Sequence, residues 1–522
     1  MTSEAADQSL ARLADALLIP PFPGWSAPAW VLDALSGGLA GVTIFGPNIS
    51  STSQLSELIT RLRAAGPEAA GGEPIVAIDE EGGDVTRIAH LTGSPYPGNA
   101  ALGAVDDPAL TRAVYRALGG DLAALGVTLN LAPSVDVNTA ADNPVIGTRS
   151  FGADPAVVAR HAAAAVNGLQ AAGVAACAKH FPGHGSTSID SHHTAATVTG
   201  SMDLIRRRDL PPFVAAIEAG VRAVMPGHLL VPELAGNLPA SLSAVAQTGL
   251  LRGELGFDGV IVSDALEMRA VSGPYGIPEA AVMAVAAGTD LLCLGRDQDE
   301  VMYLRVRDAL MEAVRSGRIP GSRLEEAAGR IAELRAWVSD FRTTNEGLAG
   351  PGTTDVGMVA ARRALRLHAE LAPLTDPVLV EVVPPSNIAV GTVPWGLSQW
   401  VRADSVFRIS TGRSDHEDAE GASEAAPAIR KVLAATADGR PLLVVVRDAH
   451  RYPVARAAVR ELVASRPSAV VLEMGLPVWS PPTHAYLATF GATRASSLAA
   501  AERLGLAPDL TQEVSAHGPD RP

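Results

Sequence analysis

The chain has few cysteines, few aromatic residues and few charged residues, and it has no run of positive charge. Two cysteines occur in 522 residues, aromatic residues make up 4% and charged residues 19%. Cys177 and Cys293 each lie inside a short apolar run, which predicts buried thiols and argues against a disulfide framework or a zinc site. The formal net charge of −15 and the lack of a Lys/Arg run argue against nucleic acid or an anionic membrane as a partner.

Long apolar segments are also lacking, although 47% of the residues are hydrophobic. No stretch approaches the length of a membrane span. The first 24 residues have neither a basic start nor a long apolar stretch, so no signal peptide is predicted. We therefore expect a soluble cytoplasmic protein, and the chain length predicts two domains.

Short apolar runs do recur, separated by alanine-rich helical stretches. They lie at 16–22, 41–46, 74–82, 127–137, 174–185, 221–228, 259–266 and 289–295. Alternation of strand and helix indicates parallel βα units. Eight such units before residue 300 predict a (β/α)8 TIM-like barrel.

Polar residues follow nearly every apolar run on its carboxyl side, where a buried strand would not tolerate them. These residues are Asn48, Asp79, Glu80, Glu81, Asp136, Lys179, His180, His228 and Asp264. The carboxyl ends of barrel strands share one face, and barrel enzymes carry out their chemistry there. The pattern therefore predicts an active site at this face.

The second half of the chain predicts a separate domain. A segment rich in Gly, Thr and Asp, followed by a helical stretch at 358–372, indicates a linker. Four further apolar runs at 377–383, 405–410, 441–448 and 468–475 predict a small α/β sandwich. We predict a catalytic barrel over 1–340, a linker and connecting helix over 341–372, and the sandwich domain over 373–522. The acidic loop at 414–424 is expected to be solvated surface.

The segment "AKHFPGHGSTSIDSHH" (178–193) contains four of the twelve histidines. His180 and His184 could share a metal only on a helix, and Pro182, Gly183 and Gly185 exclude a helix here. No carboxylate lies at the spacing of a zinc motif, and neither a P-loop nor a dinucleotide-binding pattern occurs. We predict no metal and no cofactor.

An acid/base pair is the alternative that the loop offers. In an extended segment Asp190 and His192 point to the same side, so the carboxylate can orient the imidazole and stabilise its charged form. Asp264, which follows four apolar residues, is a plausible nucleophile for such a pair. Its place before "ALEMRAV" would equally suit the N-cap of a helix, and spacing alone leaves both interpretations open.

Five long motifs resemble glycoside hydrolase family 3, in its β-N-acetylglucosaminidase (β-hexosaminidase) branch. They occur in the family's order over roughly residues 10–340, and the second domain matches only in size and class. The motifs are "AIDEEGGDVTR" (77–87), "NLAPSVDVN" (130–138), "NPVIGTRSFG" (143–152), "KHFPGHGSTSIDSHH" (179–193) and "LPASLSAVAQTGLLRGELGFDGVIVSDALEM" (238–268).

The resemblance implies a retaining mechanism through a covalent glycosyl-enzyme. It makes Asp264 the nucleophile and His192 the general acid/base, oriented by Asp190 on a mobile loop. It also implies that five residues bind sugar hydroxyls, namely Asp79, Arg87, Arg149, Lys179 and His180. A structural Asp79–Arg87 ion pair and a surface position for Arg149 are the alternatives. His184 is expected to brace the loop. His228 closes the sixth strand, and whether it lines the pocket is left open.

Three positions depart from many relatives of the resembled family. Ser186 replaces Asp, Asp84 replaces Arg, and Ala265 replaces a second Asp after the nucleophile. The first two are expected to affect loop packing and subsite preference. The third removes a negative charge beside Asp264, which should ease its ionisation.

The predicted function is a retaining exo-β-N-acetylglucosaminidase acting on cell-wall recycling fragments or short chitin oligomers. The partner is a small carbohydrate. The first alternative is a phosphorylase, in which inorganic phosphate replaces water, because a histidine acid/base does not repel an anion as a glutamate would. The second alternative is a non-catalytic sugar-binding protein, which is disfavoured because Asp264, Asp190 and His192 are all present.

Overall fold

The computed structural model describes residues 3–66, 73–189, 195–344, 355–385, 387, 389–411, 418–483 and 485–507. The predicted acid/base pair, Asp190 and His192, lies outside the described residues, as do residues 414–417 of the acidic loop. Residues 418–424 of that predicted loop instead form the start of a helix.

Eight parallel strands form the first domain, and each lies within one of the eight apolar runs. They are β1 (Leu18–Ile19), β2 (Gly41–Ile44), β3 (Ile75–Ile78), β4 (Leu129–Asn130), β5 (Ala175–Phe181), β6 (Ala223–Pro226), β7 (Val260–Ile261) and β8 (Leu292–Cys293). Strands β2 to β7 form one sheet in chain order, and β1 pairs with β8. Thr43 N donates to Pro20 O and Ser263 N donates to Leu291 O, which closes the ring on both sides. The predicted TIM-like barrel is confirmed.

Helices follow the strands and cover the outside of the barrel. They are α1 (Ser3–Asp15), α2 (Ala29–Gly37), α3 (Thr52–Ala65), α4 (Asn99–Val105), α5 (Pro108–Leu125), α6 (Pro155–Gln170), α7 (Met202–Arg208), α8 (Pro211–Glu218), α9 (Pro232–Ala235), α10 (Arg269–Tyr275), α11 (Ile277–Ala287), α12 (Glu300–Arg315) and α13 (Gly321–Thr344), with a further helical segment at Val245–Glu254. Several start with a side-chain cap, for example Asp107 before α5 and Asp154 before α6. A short parallel pair, Ala196–Thr197 and Leu229–Leu230, lies outside the ring.

One continuous apolar core fills the barrel and the space beneath its helices. Cys177 and Cys293 both lie in this core as buried free thiols, as predicted. Within the described part of the chain, no helix combines the length and the apolar character that crossing a membrane requires.

The second domain is a six-stranded mixed sheet with helices on both faces. Its strands are β9 (Arg366–His368), β10 (Val378–Val383), β11 (Val406–Ser410), β12 (Leu442–Val446), β13 (Val470–Glu473) and β14 (Ala485–Ala488). Its helices, together with the one that leads into it, are α14 (Asp355–Ala364), α15 (Asp418–Ala435), α16 (Pro453–Ser465) and α17 (Arg494–Arg503). The strand order is β9-β14-β13-β12-β10-β11, and only the β9–β14 pair is antiparallel. The predicted α/β sandwich is confirmed as a fold, and four of its six strands were predicted.

The connecting segment differs from the prediction of a helix over 358–372. The helix α14 ends at Ala364, and Arg366–His368 then pair with β14 as an edge strand. This strand was missed because its hydrogen-bond partners lie more than a hundred residues away, and local helix propensity does not report such pairing. The predicted domain boundaries themselves stay a prediction.

Candidate active site at the carboxyl edge of the barrel

The end of β5 provides a buried cation at the centre of the barrel edge. All seven residues of β5 are buried, and Lys179 lies near its end. The Lys179 Nζ lies 2.6 Å from Asp79 Oδ1 and 2.9 Å from Glu81 Oε1. Burial alone would lower the pKa of Lys179, but the charges of Asp79 and Glu81 outweigh it and raise the pKa. Lys179 is therefore held as a charged donor.

Arg149 meets the same carboxylate from the loop that follows β4. Its Nε and Nη2 donate to the two oxygens of Glu81 at 2.9 and 2.8 Å, a bidentate pair. Burial alone would raise the pKa of Glu81, but the charges of Arg149 and Lys179 outweigh it and lower the pKa well below its ordinary value. Arg149 is 7% exposed, so its placement on the surface is wrong.

His180 is oriented by a buried aspartate that the sequence had marked only as a strand-end residue. The Nδ1 of His180 lies 2.8 Å from Asp136 Oδ2, and Ser134 Oγ donates to the same oxygen at 2.9 Å. With the carboxylate accepting at Nδ1, the Nε2 of His180 faces Arg149 Nη2 at 3.4 Å. Burial alone would raise the pKa of Asp136, but the neighbouring His180 outweighs it and lowers the pKa.

The histidine-rich loop is packed against the β4 loop by several contacts. The backbone N–H of His184 donates to Asp136 Oδ1 at 2.6 Å, and its carbonyl accepts from Asn143 Nδ2 at 2.9 Å. Burial lowers the pKa of His184 to about 4, so the imidazole is neutral at pH 7. A Cβ at Gly185 would lie 2.0 Å from Val137 O, so only glycine permits this close approach. These contacts fix the loop at His184, which agrees with the expected bracing role.

Asp264 stands at the end of β7, half-buried, and its Oδ1 accepts from Ala265 N at 2.8 Å. The helix α10 begins only at Arg269, with Met268 in the N-cap position, so the N-cap interpretation of Asp264 is wrong. Asp79 follows β3 and Asp264 follows β7 in the same parallel sheet, so both carboxylates lie at the carboxyl edge of the barrel.

His228 does not stand in an open pocket but is wholly buried against the backbone of Ala265. Its Nε2 lies 3.0 Å from Ala265 O, and its Nδ1 lies 2.6 Å from Ser241 Oγ. Because a carbonyl can only accept, Nε2 carries the proton, and the imidazole anchors the backbone beside Asp264. Ala265, which replaces Asp in many relatives, therefore has a fixed backbone and places no charge beside Asp264.

The Arg87 side chain contacts the second domain. Asp79 pairs with Lys179, and the Arg87 Nη2 donates to Ala389 O of the second domain at 3.1 Å. The neighbouring Glu80 is buried and accepts from the backbone N–H groups of Arg87 and Ile88 at 2.7 and 3.0 Å. Burial raises the pKa of Glu80 to about 7. Glu80 therefore shapes the turn that presents Arg87.

The structure brings together four of the five predicted sugar-binding residues, namely Asp79, Arg149, Lys179 and His180. It adds Glu81 and Asp136, which the sequence analysis had named only as strand ends; their position after a buried strand was the available signal. Ser186, the first of the three departures, accepts from Arg208 Nη2 at 2.9 Å and so packs the loop. Among the described residues, no group of three or more His, Cys, Asp or Glu is arranged to hold a metal ion.

Comparison with known proteins places the first domain in a family. Residues 27–334 match the model of the glycosyl hydrolase family 3 N terminal domain. The chain is 34% identical over 318 residues to beta-hexosaminidase A of Pseudoalteromonas piscicida, which covers 57% of this chain and 53% of that protein. It is 40% identical over 274 residues to beta-hexosaminidase LpqI of Mycobacterium tuberculosis, which covers 51% of this chain and 70% of that protein. The chain thus spans about half the length of the Pseudoalteromonas relative.

Among solved structures, a glycoside hydrolase family 3 beta-N-acetylglucosaminidase from Paenibacillus sp. str. FPU-7 superposes with a TM-score of 0.82 at 32% identity. The superposition covers 95% of this chain and 96% of that one, so it includes both domains. With its barrel motifs matched from end to end, the chain belongs to glycosyl hydrolase family 3, in the β-hexosaminidase branch.

Proposed function

We propose that this chain is a retaining exo-β-N-acetylglucosaminidase that releases terminal non-reducing N-acetylglucosamine from small carbohydrates. The observation that carries the proposal is the buried network of Asp79, Lys179, Glu81, Arg149 and His180, which shares the carboxyl edge of the barrel with Asp264. The relatives named beta-hexosaminidase and beta-N-acetylglucosaminidase support the same activity.

The network suits a sugar ring because it combines charged donors with an acceptor. Lys179 and Arg149 are donors that keep their charge, and Asp79 is the more exposed acceptor, with 22% of its side chain accessible. Charge-assisted hydrogen bonds to sugar hydroxyls are strong and directional, so they can hold one ring in a defined orientation. Such a ring would present its anomeric carbon to Asp264.

The proposed reaction has two displacement steps at the anomeric carbon. In the first, an Asp264 oxygen bonds to that carbon as the glycosidic C–O bond breaks, and the leaving oxygen takes a proton from His192. In the second, water gives a proton to His192 and attacks the same carbon, which breaks the bond to Asp264. Asp190 orients His192 and stabilises its charged form. Inorganic phosphate could replace water in the second step.

The substrates we propose are cell-wall recycling fragments or short chitin oligomers. Incubation with N,N′-diacetylchitobiose and with 4-nitrophenyl N-acetyl-β-glucosaminide, each with and without phosphate, tests the activity. Release of N-acetylglucosamine at a rate that phosphate leaves unchanged supports a hydrolase. Release of N-acetylglucosamine 1-phosphate would make the protein a phosphorylase, and no sugar product in either condition would contradict both.

A matched pair of variants assigns the activity to the proposed site. Asp264 follows β7, and Asp258 precedes the same strand on the exposed surface. Asp258→Asn should release sugar at the wild-type rate, whereas Asp264→Asn should not. Equal activity in the two variants would contradict the placement of the active site at the carboxyl edge.

A further inference from the structure

The sugar site borders the second domain through the loop that carries Arg149. A cleft between the two domains is lined on one side by residues of the 141–149 segment, and on the other by Asn387, Arg447, His450 and Arg451. His450 Nε2 lies 2.7 Å from Ala141 O, and Asn387 Nδ2 donates to Pro144 O at 3.2 Å. The second domain therefore contacts this loop at more than one point.

The buried carboxylate of Asp84 is hydrogen-bonded to both domains. It lies in the same turn as Glu81, and only 1% of its side chain is exposed. Its Oδ2 accepts from Thr148 Oγ1 at 2.7 Å and from Arg447 Nη2 at 3.0 Å, and its Oδ1 accepts from Ala492 N at 2.8 Å. One carboxylate thus accepts one donor from the barrel and two from the second domain.

The barrel donor, Thr148, stands directly before Arg149 in the short helical turn Gly147–Arg149. Glu81 binds the Arg149 guanidinium, and Asp84 binds the hydroxyl of the preceding residue. Two carboxylates of one turn therefore hold two consecutive residues of the neighbouring loop. This double attachment defines both the backbone and the side-chain position of Arg149.

The other donor, Arg447, follows β12 and is largely buried, with 16% of its side chain exposed. Burial alone would lower the pKa of Arg447, but Asp84 and the other acidic groups around it together outweigh burial and raise the pKa. Asp448 and Glu473 also face this guanidinium from the second domain. A buried charge that loses its partner is strongly destabilised, so Arg447 and Asp84 depend on each other.

We propose that Asp84 and Arg447 are positioning residues for sugar binding: their ion pair, relayed by Thr148, holds Arg149 in place. The second domain then contributes to sugar binding, because it supplies Arg447. This inference rests on the proposed function, because it assigns Arg149 to the sugar.

The test compares Asp84→Asn, Arg447→Gln and Arg447→Lys with wild type, using KM and kcat for 4-nitrophenyl N-acetyl-β-glucosaminide and calorimetric binding of N-acetylglucosamine. In Asp84→Asn and Arg447→Gln we expect KM and the dissociation constant to rise about tenfold, with kcat within about twofold, because ground-state binding is lost. Arg447→Lys should recover part of the affinity, since it keeps the charge. Changes below about twofold in the first two variants would overturn the proposal.

A control and a second variant separate positioning from general destabilisation. Arg363 forms another ion pair between the segment leading into the second domain and the barrel, with Asp107 at 2.8 Å, on helices that do not carry the sugar-binding residues. Arg363→Gln should leave KM unchanged, and an equal rise there would overturn the inference. Thr148→Val keeps the ion pair but removes the relay, so normal sugar binding in that variant would also overturn it. This second test stands even if the Asp84 and Arg447 variants do not fold.

Calorimetry also separates this inference from the proposed function. Wild-type protein that neither binds N-acetylglucosamine nor turns over the glycoside contradicts the proposed function and the inference with it. Wild-type protein that does both, while the Asp84 and Arg447 variants bind like wild type, contradicts the inference alone.

Discussion

Two buried glutamates at strand ends, one in each domain, have opposite electrostatic surroundings. Glu81 follows β3 in the barrel, and Glu473 ends β13 in the second domain; they are 4% and 1% exposed. Glu81 is held by Arg149 and Lys179, and their charges lower its pKa. Glu473 accepts only backbone N–H groups in the described hydrogen bonds, from Asp448, Ala449 and Gly475 at 2.7, 3.2 and 2.7 Å.

Burial, reinforced by the nearby charge of Asp448, raises the pKa of Glu473 to about 8, so this carboxyl is mostly protonated at pH 7. The comparison shows that a carboxylate after a strand does not by itself indicate an active site. In the barrel, the cation of Arg149 from the β4 loop and that of Lys179 from strand β5 converge on Glu81 and form a charged site. In the second domain, backbone N–H groups bind the Glu473 carboxyl at the end of β13.

The largest expected effect is the loss of turnover at the barrel edge. Asp264→Asn should reduce kcat for 4-nitrophenyl N-acetyl-β-glucosaminide by about 10⁴-fold or more, because the amide cannot form the glycosyl-enzyme. Glu473→Gln should stay within about twofold of wild type. Near-normal activity in the first variant, or a comparable loss in the second, would remove the functional difference between the two strand ends.

The second prediction concerns His192, whose loop follows β5. An activated aglycone needs little protonation, so His192→Ala should slow disaccharide hydrolysis by about 10²–10⁴-fold while slowing glycosyl-enzyme formation from a dinitrophenyl glycoside far less. The covalent intermediate on Asp264 should then accumulate and be visible by mass spectrometry. Asp190→Ala should show the same pattern more weakly. Equal losses on both substrates without a trapped intermediate would mean that His192 only binds sugar.

The third prediction compares the stability of the two glutamate variants. Glu81→Gln leaves Arg149 and Lys179 with less compensating charge and should destabilise the protein by about 3–5 kcal/mol. Glu473→Gln replaces a neutral carboxyl with a neutral amide, whose oxygen can keep the bonds from Asp448 N and Gly475 N but whose NH2 cannot accept from Ala449 N, so it should cost about 1–3 kcal/mol at pH 7. Denaturant titrations followed by circular dichroism measure both. A larger loss for Glu473→Gln than for Glu81→Gln would reverse the assignment of charge.

The fourth prediction is the pH dependence of the same pair. The raised pKa of Glu473 means that the folded state holds a proton which the unfolded state releases above about pH 4.5. Its contribution to stability is therefore complete below pH 4.5 and is lost as pH rises towards about 8, by at most about 1.4 kcal/mol per pH unit. The lowered pKa of Glu81 acts in the opposite sense, since its contribution is complete above pH 4.5 and is lost as pH falls. Glu473→Gln should reduce the slope of the free energy of unfolding against pH between about pH 4.5 and 8. An unchanged slope would show that Glu473 is already ionised.

The smallest expected effect is that of chelation. EDTA should leave the rate of glycoside cleavage unchanged within about 10%, because the proposed mechanism uses only carboxylates and imidazole. Strong inhibition by EDTA that zinc reverses would revive the metal-binding interpretation of the histidine-rich loop. A chelator that does not bind zinc tightly serves as the control.

Much of the fold could be predicted because its signals are local. All eight barrel strands were found from apolar runs, and the polar residues after them correctly indicated one edge. The candidate active site could be predicted only in part. Asp79, Lys179 and His180 come from motifs, but the bond between Arg149 and Glu81 joins residues 68 positions apart. The strand β9 was missed for the same reason, since its partner β14 lies far along the chain.

The amino-acid sequence alone determined the alternation of strand and helix, the end of the barrel where the polar residues gather, and the family motifs. These follow from periodicity and residue type, which act over a few neighbouring positions. Only the tertiary structure decided that the pKa of Glu81 is lowered and that of Glu473 raised, that His228 is buried against the backbone of Ala265, and that Asp84 joins the barrel to the second domain. Those outcomes depend on which distant side chains share a low-dielectric space, because the energy of a buried charge is set by its partners and not by its neighbours in sequence.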